Sequence, residues 1–510
     1  MSEINLHFQL PGNQKIDKFL AKISKKKDLQ IASQQYSLKT FYDSFDWRLF
    51  NAGVLCELNQ SKSDSRLTLV DLQSGQPIAA AEMDQAPRFA EEFADARLQS
   101  ILAPLLKMRA LLSLTSLSYQ AYRINILNKD GKTTLRLLIE DYELLPARVY
   151  LQPIKGYDKT AKRISALLEK KLGLKMAKKP VIYAALELQG RKPADYSAKL
   201  AIQLDPKMRA DLSCKYIYSH LLQAIKVNEA GTIDAIDSEF LHDFRVAVRR
   251  TRAGLSQLKR VLPAAVVGRN AEFFAWLGQI SGPARDMDVY LLNFASYQHS
   301  LPEDMQGDLQ PLYELIKVKQ HQSHRELAAK LKSVEYIGKL QAWEDYLKES
   351  VVKRPAEADA LLSIKQLADK RLWRVYRRVL NQGNAISDQT PPKALHRLRK
   401  TCKKLRYLME FFQSLYPEKK IKRQIKALKE LQDILGDFQD YQVQESTLKR
   451  FANEMMAEQT SADTLIAMGV LVQNLRQQRL RARQAFAGCF DKFKRPENQA
   501  SFQALFSGKL

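Results

Sequence analysis

Two basic stretches of the chain are near-copies of one another. LHDFRVAVRRTRAGL begins at Leu241 and LHRLRKTCKKLRYLM begins at Leu395, an offset of 154 positions. The same offset aligns LGQISGPARDMDV with LQDILGDFQDYQV farther along the chain, so that Gly282 meets Gly436. Two blocks that share one ungapped offset indicate an internal duplication, and we expect two helical bundles related by a pseudo-two-fold axis.

Each copy carries a row of cations when it is drawn as a helix. At about 100° per residue, one His and three basic residues of each copy fall within an arc of about 80°. We call these sets the first and second stripes; they are His242, Arg245, Arg249 and Arg252, and His396, Arg399, Lys403 and Arg406. The neighbouring arc of the first copy is apolar and consists of Leu241, Phe244, Val248 and Leu255. We therefore expect the stripes at the rim of a groove between helices.

The stripes have two interpretations. A basic helix face is commonly a solvated surface on which long side chains cover apolar neighbours. Here the pattern is duplicated, has a His at the same position in both copies, and contains few acids, since Asp243 is the one carboxylate of the first stretch and the second stretch has none. A structural surface helix normally mixes both signs of charge. We therefore favour a binding site for a polyanion.

Other residues are secondary candidates. Two further helical patterns place Arg at positions i, i+3 and i+7, and a solvated outer face explains them equally well. They are Arg371, Arg374 and Arg378, and Arg476, Arg479 and Arg483. Asp286 and Asp440 follow the two stripes at the same distance, and we expect them either to orient an Arg or Lys or to cap a helix.

Length and periodicity predict the domain organisation. The chain has 510 residues, which is too long for one ordinary core. Strand and helix patterns are mixed over residues 1–190, residues 191–206 are typical of a linker, and long helical patterns fill residues 207–500. We expect an α+β domain followed by an all-α domain whose halves span about 207–350 and 360–500.

The charge favours an anionic partner. Lys and Arg number 81 against 56 Asp and Glu, a formal net charge of +25, and such a potential attracts nucleic acid, anionic membrane or polyphosphate. No apolar run approaches the roughly 20 residues of a membrane span, and the first residues do not resemble a secretory signal. The four cysteines are dispersed, which favours a reducing cytoplasm. We expect a cytoplasmic protein associated with polyphosphate granules.

The composition of the stripes selects among the polyanions. Nucleic-acid readers usually interleave basic residues with exposed aromatics, and the stripes have few aromatics. Arg and Lys donors alone suit phosphate groups, and a His contact strengthens as the pH falls toward about 6.5. Linear polyphosphate fits a groove lined from two sides, so it is the expected ligand, ahead of nucleic acid.

These residues resemble the CHAD family of α-helical domains. The matching segments are LHDFRVAVRRTRAGL with ARDMDV, and LHRLRKTCKKLRYLMEFF with LQDILGDFQD. The resemblance extends over about residues 207–500. It implies two pseudo-symmetric antiparallel four-helix bundles that face one another across a basic cavity, and binding of inorganic polyphosphate. The binding residues that it implies are the two stripes, with Arg250 and Lys404 in addition.

Residues 1–190 resemble the CYTH domain, a triphosphate tunnel metalloenzyme fold that precedes the CHAD domain in many proteins. EINLHF lies where that family has its ExExK strand, FYDSFDWRLFNAGVLCEL resembles its stretch with a Tyr, an acid and two Arg, and RLTLV resembles its TxK stretch. The resemblance implies an antiparallel β tunnel or barrel with flanking helices.

The residues that tunnel chemistry needs are largely replaced. Such a site holds a divalent metal with carboxylates and grips phosphates with cations. Glu3 remains, and so do the strand acids Asp141 and Glu143. The replaced positions are Asn5 for Glu, His7 for Lys, Cys56 and Leu58 for two Arg, and Val70 for Lys. We therefore expect an inactive CYTH-like scaffold without catalytic residues, metal ligands or a cofactor.

Three functions remain open on the sequence. The favoured one is a non-enzymatic polyphosphate-binding protein with the stripes as its site. The alternative is an inorganic triphosphatase in the N-terminal domain, in which Mg²⁺ or Mn²⁺ is held by Glu3, Asp141 and Glu143. A second alternative is a nucleic-acid or protein scaffold that uses the same basic groove.

Overall fold

The structure is a computed structural model, which describes residues 7–12, 14–197, 200 and 202–507. The chain divides into two compact units, Met1–Ala198 and Lys199–Leu510. Their boundary falls within residues 191–206, the segment with the composition of a linker. Among the described residues, none of the helices has the length and apolar character that a membrane crossing requires.

In its described residues, the first unit is built on one antiparallel sheet of nine strands, in the order β5-β4-β3-β2-β6-β7-β8-β1-β9. Five short α-helices accompany the sheet there. The strands are β1 (His7–Gln9), β2 (Leu29–Asp43), β3 (Val54–Ser61), β4 (Ser65–Asp71), β5 (Pro77–Glu82), β6 (Leu112–Leu127), β7 (Thr133–Tyr142), β8 (Arg148–Pro153) and β9 (Lys175–Met176). The helices are α1 (Ile16–Ser24), α2 (Arg48–Asn51), α3 (Ala96–Leu106), α4 (Asp158–Ala166) and α5 (Val181–Glu187). The antiparallel α+β architecture confirms the predicted fold class.

The two faces of the sheet differ in what covers them. On the outer face, α1 and α4 pack against β6, β7 and β8 through Phe19, Ile124 and Ile164, and α3 packs against β3, β4 and β5. The inner face lines a cavity of about 820 Å³ to which both ends of the sheet contribute. Because side chains alternate between the faces of a strand, each strand contributes every second residue to this cavity.

The second unit is helical, as predicted, and its helices repeat. They are α6 (Ala210–Ile233), α7 (Ser238–Gln257), α8 (Ala264–Ile280), α9 (Gly282–Leu292), α10 (Phe294–His299), α11 (Gln310–Leu331), α12 (Val334–Lys348), α13 (Ile364–Asn384), α14 (Pro392–Phe412), α15 (Glu418–Ala457), α16 (Ala462–Phe493) and α17 (Pro496–Phe506). The first residues of α13, α14 and α15 each lie 154 positions after the first residues of α6, α7 and α8. The offset read from two basic stretches therefore extends over three successive helices.

Equivalent residues of the two repeats meet where α6 and α13 begin. Arg209 and Ser363, which are 154 positions apart, form an antiparallel bridge. The N–H of Ala210 donates to the carbonyl of Leu362 at 2.9 Å, and the N–H of Ile364 donates to that of Met208 at 2.8 Å. This reciprocal pair is what a pseudo-two-fold axis through the bridge requires. The repeats differ farther on, because α15 runs unbroken through the region where α8 ends and α9 begins at Gly282.

Local signals account for the position of the two stripe helices. The carboxylate of Asp237 accepts hydrogen bonds from the N–H groups of Glu239 and Phe240, which caps α7. Pro392 occupies the first position of α14, where its missing N–H costs nothing. The apolar arc of α7 is buried as predicted: Leu241, Phe244 and Val248 are inaccessible to solvent. The cationic arc is thereby left at the edge of the core.

Candidate functional site

The two stripes lie on helices that contact each other, α7 and α14, and each is held by equivalent contacts. His242 Nδ1 lies 3.1 Å from Arg285 Nη2, and His396 Nδ1 lies 2.8 Å from Gln439 Oε1. Arg285 and Gln439 are 154 positions apart, as the two His are. The duplicated His is therefore oriented in the same way in both repeats, although by different partners.

The second equivalent contact involves the first Arg of each stripe and a glycine. A Cβ added to Gly282 would lie 3.9 Å from Arg245 Nη1, and one added to Gly436 would lie 3.9 Å from Arg399 Nη2. The guanidinium of Arg399 donates to Asp440 at 2.9 Å, whereas that of Arg245 donates to the carbonyl of Gly278 at 3.1 Å and to Ser281 Oγ at 2.7 Å. The guanidinium of each Arg therefore contacts the helical segment that follows its own stripe helix in the chain.

Arg249 and Lys403, at equivalent positions of the two stripes, are close enough for the charge of one to act on the other. Burial, together with Arg399 and Arg249, lowers the pKa of Lys403 to about 8, although Asp440 opposes the fall. Burial and Arg249 also lower the pKa of Arg245 to about 10. Lys403 and Arg245 are therefore partly desolvated among like charges. Neither pKa shift could be anticipated from the sequence, because both depend on burial in the folded protein and that of Lys403 depends also on Arg249 of the other repeat.

The two candidate carboxylates, Asp286 and Asp440, also approach one another. Burial raises the pKa of Asp286 and Asp440 adds to the rise, whereas Arg245 and Arg285 oppose it. Asp286 lies inside α9 and Asp440 inside α15, so the expectation that they cap helices is wrong. Their place beside Arg245 and Arg399 agrees with the alternative expectation, which was that they orient a cation.

Two stripe residues have an unsatisfied donor. The Nε atoms of Arg249 and Arg399 are buried and have no hydrogen-bond acceptor within the described chain, whereas Arg406 Nε lies 3.3 Å from Glu410 Oε1. A buried N–H of a charged group that lacks an acceptor is costly. Arg252 is exposed, and its Nη1 lies 2.8 Å from where a Cβ on Gly278 would be. The stripes therefore present cationic donors that this unit does not itself satisfy.

Arg250 and Lys404, the two residues added by the family resemblance, lie beside the stripes and have different partners. Arg250 donates from Nε at 3.1 Å and from Nη2 at 2.8 Å to Glu410 Oε2, and Glu410 also lies 3.3 Å from Arg406. Lys404 faces a different set of cations, since burial lowers its pKa and Arg378, Lys400 and Lys259 lower it further. These two equivalent positions therefore differ: Arg250 is neutralised by a carboxylate, whereas Lys404 is surrounded by cations.

The secondary candidates separate into structural and exposed residues. Arg371 is buried and donates to Asp359 at 2.8 Å, and Arg479 lies 2.9 Å from Glu445. Arg483 donates to the carbonyls of residues 387, 388 and 390 and so holds the turn before α14. Arg374, Arg378 and Arg476 have exposed side chains. The interpretation as a solvated or structural face therefore accounts for most of this set.

The cavity of the first unit contains a buried ion cluster that sequence reasoning missed. Lys39 Nζ lies 2.7 Å and 2.9 Å from the two carboxylate oxygens of Glu140 and 3.7 Å from Glu57. Although burial opposes it, Glu140 raises the pKa of Lys39 well above its usual range. The hydroxyl of Tyr142 also donates to Glu140. The one signal in the sequence is a Lys in a polar alternating segment, SLKTFYD.

The strand register corrects two expectations about this cavity. Cys56 and Leu58, which stand where the tunnel family has two arginines, face the outer core beside α3, and Leu55, Glu57 and Asn59 line the cavity instead. Glu140 lines the cavity from β7. Asp141 and Glu143 alternate with the inward-facing Glu140 and Tyr142, which places them on the other face.

The triphosphatase alternative therefore lacks an assembled metal site in this part of the chain. Glu3 and Asn5 lie outside the described residues. Within the described ranges, no group of three or more His, Cys, Asp or Glu is arranged to hold a metal ion. His7 and Val70 do line the cavity, and burial lowers the pKa of His7.

The chain is similar to several proteins of known structure. No protein of curated function matches the chain. Among solved structures, the CHAD domain of the plant Ricinus communis is 26% identical, with a TM-score of 0.48, covering 58% of this chain and 95% of that one. PptA from Streptomyces chartreusis is 15% identical with a TM-score of 0.42, covering 56% and 99%.

A third similar structure corresponds to a smaller part of the chain. It is a protein from Hippeastrum described as a proposed adenylyl cyclase with a dominant triphosphatase activity; it is 11% identical with a TM-score of 0.29, covering 38% of this chain and 99% of its own. The CHAD domain family model matches residues 217–449, a range that contains both stripes. Residues 217–449 of this chain thus form a CHAD domain.

Proposed function

We propose that the helical unit binds inorganic polyphosphate in the groove lined by the two stripes. The observation that carries this proposal is the closeness of Arg249 and Lys403, where a lysine is desolvated among arginines and its pKa falls to about 8. A folded protein gains no stability from such a cluster by itself. An anion that inserts between the stripes would remove the repulsion, so its binding is strongly favoured.

The unsatisfied donors support the same ligand. A guanidinium has five N–H donors in a fixed fork that matches phosphate oxygens. The Nε groups of Arg249 and Arg399 are buried without an acceptor in the described chain, and the two Arg come from different repeats. A polymer with one charge on each unit can satisfy donors along both walls of the groove, which a single phosphate cannot do.

Aromatic side chains favour polyphosphate over nucleic acid. Single-stranded nucleic acid is commonly held by bases stacked on exposed aromatic rings. The aromatic residues within the stripe segments, Phe244 and Tyr407, are both buried. They cannot offer a stacking surface at the rim of the groove. The proposed ligand is therefore recognised by its phosphates alone.

The functional unit in this proposal is the helical domain over about residues 207–500, with the first unit serving as an inactive scaffold. The built-in neutralisation of Lys39 by Glu140 supports that division, because a buried cation that is already paired is a poor phosphate ligand. A protein of this kind is expected in the cytoplasm with polyphosphate granules, and a fluorescent fusion would show whether it is located there.

A titration of the full chain tests the function. Long-chain polyphosphate should bind at physiological salt with low micromolar affinity or better, and the affinity should fall steeply with added salt because counterions are released. RNA at equal phosphate concentration should not displace it. No detectable binding, or displacement by RNA, would refute the proposal. Phosphate release from tripolyphosphate with Mg²⁺ or Mn²⁺, if lost in Glu3→Ala, would instead support the triphosphatase.

A further inference from the structure

We infer that the helical unit carries a second polyanion-contacting surface, which continues the groove around one side of α14 and has no counterpart in the other repeat. It consists of Lys259, Arg378, Lys400 and Lys404, and we call it the lateral surface. The inference rests on the proposed function, since its ligand is the same polyphosphate chain after it leaves the groove. It assigns to long chains a contact that short chains cannot make.

Three elements bring these side chains together. Lys400 and Lys404 are one turn apart on α14, which packs against α13, the helix that carries Arg378. The guanidinium of Arg371 on α13 donates to the carbonyl of Lys259 at 2.5 Å, and this contact ties the segment after α7 to α13. Asp359 holds Arg371 in turn at 2.8 Å. The buried Arg371 is thus the support for the surface.

The lateral surface is accessible and not neutralised. Lys259, Arg378 and Lys400 have exposed side chains and Lys404 is half-buried. No ion pair is present at any of the four within the described part of the chain. The mutual repulsion of these cations, added to burial, lowers the pKa of Lys404. A solvated structural face would normally interleave carboxylates here.

The surface is continuous with the second stripe. At about 100° per residue, Lys400 lies between Lys403 on one side and Lys404 on the other, so these lysines form a band around α14. A chain that lies beside Lys403 needs to turn only about a quarter of the helix circumference to reach Lys404. A single polyanion can therefore occupy both.

The equivalent side of the first repeat does not have this set of cations. The offset of 154 makes Val246 the equivalent of Lys400, Ala224 that of Arg378 and Gln413 that of Lys259. Arg250, the equivalent of Lys404, is neutralised by Glu410, whose own equivalent is Ser256. One edge of the groove thus has four cations and a serine, whereas the other has one paired cation. Because of this departure from symmetry, cations continue beyond the proposed groove on the side of the lateral surface and not on the equivalent side of the first repeat.

Binding of long and short chains to the Lys400→Gln, Lys404→Gln double variant tests the inference. The stripe from residue 242 to 252 is about 15 Å long at 1.5 Å per residue, so tripolyphosphate can lie within the groove. We expect long-chain affinity to fall by about tenfold, as for loss of about 1.4 kcal/mol, and tripolyphosphate affinity to stay within about twofold. The matched control is Lys25→Gln, Lys26→Gln, which removes two exposed charges from the first unit.

The outcomes separate this inference from the function on which it rests. Wild-type protein that binds no polyphosphate overturns both. If the wild type binds polyphosphate and the double variant binds long chains with the same affinity, the lateral surface alone is overturned. If the double variant loses affinity for tripolyphosphate as much as for long chains, the lysines belong to the groove and the lateral surface is again overturned. A loss confined to RNA binding would identify a nucleic-acid surface and overturn the inference. Circular dichroism of the variant confirms that it is folded.

Discussion

The cavity of the first unit and the proposed groove of the helical unit both desolvate a lysine, with opposite results. Lys39 is surrounded by Glu140 and Glu57, and its pKa rises well above the usual range. Lys403 is surrounded by Arg399 and Arg249, and its pKa falls to about 8. A cation whose carboxylates belong to the same unit is part of the structure. In the proposed function, a cation that faces other cations is neutralised by an anion from outside.

The largest expected effect follows from removing the cations of the groove. Arg249→Gln with Lys403→Gln should weaken polyphosphate binding by about a hundredfold or more, because each charged hydrogen bond contributes about 1.5–3 kcal/mol. The free energy of unfolding should stay the same or rise, since like charges no longer repel. Titration calorimetry and thermal unfolding measure the two quantities. A variant that binds as well as Lys25→Gln, Lys26→Gln would show that the stripes are a solvated face.

Removing the cation of the cavity should have the reverse effect. Lys39→Met leaves two buried carboxylates without their partner, and breaking a buried pair in this way costs about 3–5 kcal/mol. We expect the unfolding midpoint of the first unit to fall by about 10 °C, with polyphosphate affinity unchanged. Hydrogen exchange in β2 and β7 reports on this unit, and the exposed Lys25→Met is the control. If Lys39→Met leaves the unfolding midpoint of the first unit unchanged, or weakens polyphosphate binding, Lys39 does not differ in role from the cations of the groove.

The pH dependence of binding should identify Lys403. Because its pKa in the unliganded protein is about 8 and a bound polyanion would raise it, binding should take up a proton above pH 8. Affinity should then fall with rising pH, by up to about tenfold per unit for one proton. Lys403→Arg should flatten the profile, since Arg stays protonated. An equally steep profile in that variant would assign the proton to another group.

The same shift predicts a small effect on stability. The pKa of Lys403 in the folded protein lies below that of a free lysine, about 10.4. The charged side chain therefore destabilises the fold below pH 8, and this cost is relieved as the pH rises from 8 to about 10.4. Polyphosphate should reverse the trend, because it stabilises the charged form.

The smallest expected effect concerns Gly278. A Cβ there would lie 2.8 Å from Arg252 Nη1, and this flexible end would move away from its position. We expect Gly278→Ala to weaken binding by about threefold, well under 1 kcal/mol, without loss of stability. Gly282→Ala, whose Cβ would meet Arg245 at an ordinary 3.9 Å, should bind as the wild type does. Equal affinities for both variants would show that Arg252 makes no contact with the ligand.

The sequence predicted what depends on order along the chain. A single offset located the duplication, and helical periodicity separated the buried Leu241 and Phe244 from the cations at the rim. The equivalent contacts of His242 and His396 follow from the same offset. These features are local or repeated, so a pattern in the sequence is sufficient to find them.

The sequence did not predict what depends on partners from distant segments. Lys39 and Glu140 pair across two strands that are not neighbours in the sheet, and the polar β2 gave no alternating apolar pattern. The alignment of Cys56 and Leu58 with tunnel arginines was displaced by one residue, which reverses the face of a strand. The family resemblance implies Arg250 as a ligand residue, and its pairing with Glu410 on α14 could not be read from the sequence, because Glu410 lies one residue beyond the basic stretch.

The most direct test of the account is the salt dependence of long-chain polyphosphate binding to three proteins: the wild type, the Arg249→Gln, Lys403→Gln variant and Lys39→Met. For a single-stranded polyanion the slope of log affinity against log salt is about −0.7 for each phosphate neutralised. We predict that the groove variant loses about two such contacts, and that Lys39→Met keeps the slope of the wild type. A groove variant with the wild-type slope, or a Lys39→Met protein with a reduced one, would contradict the assignment of the polyanion to the groove.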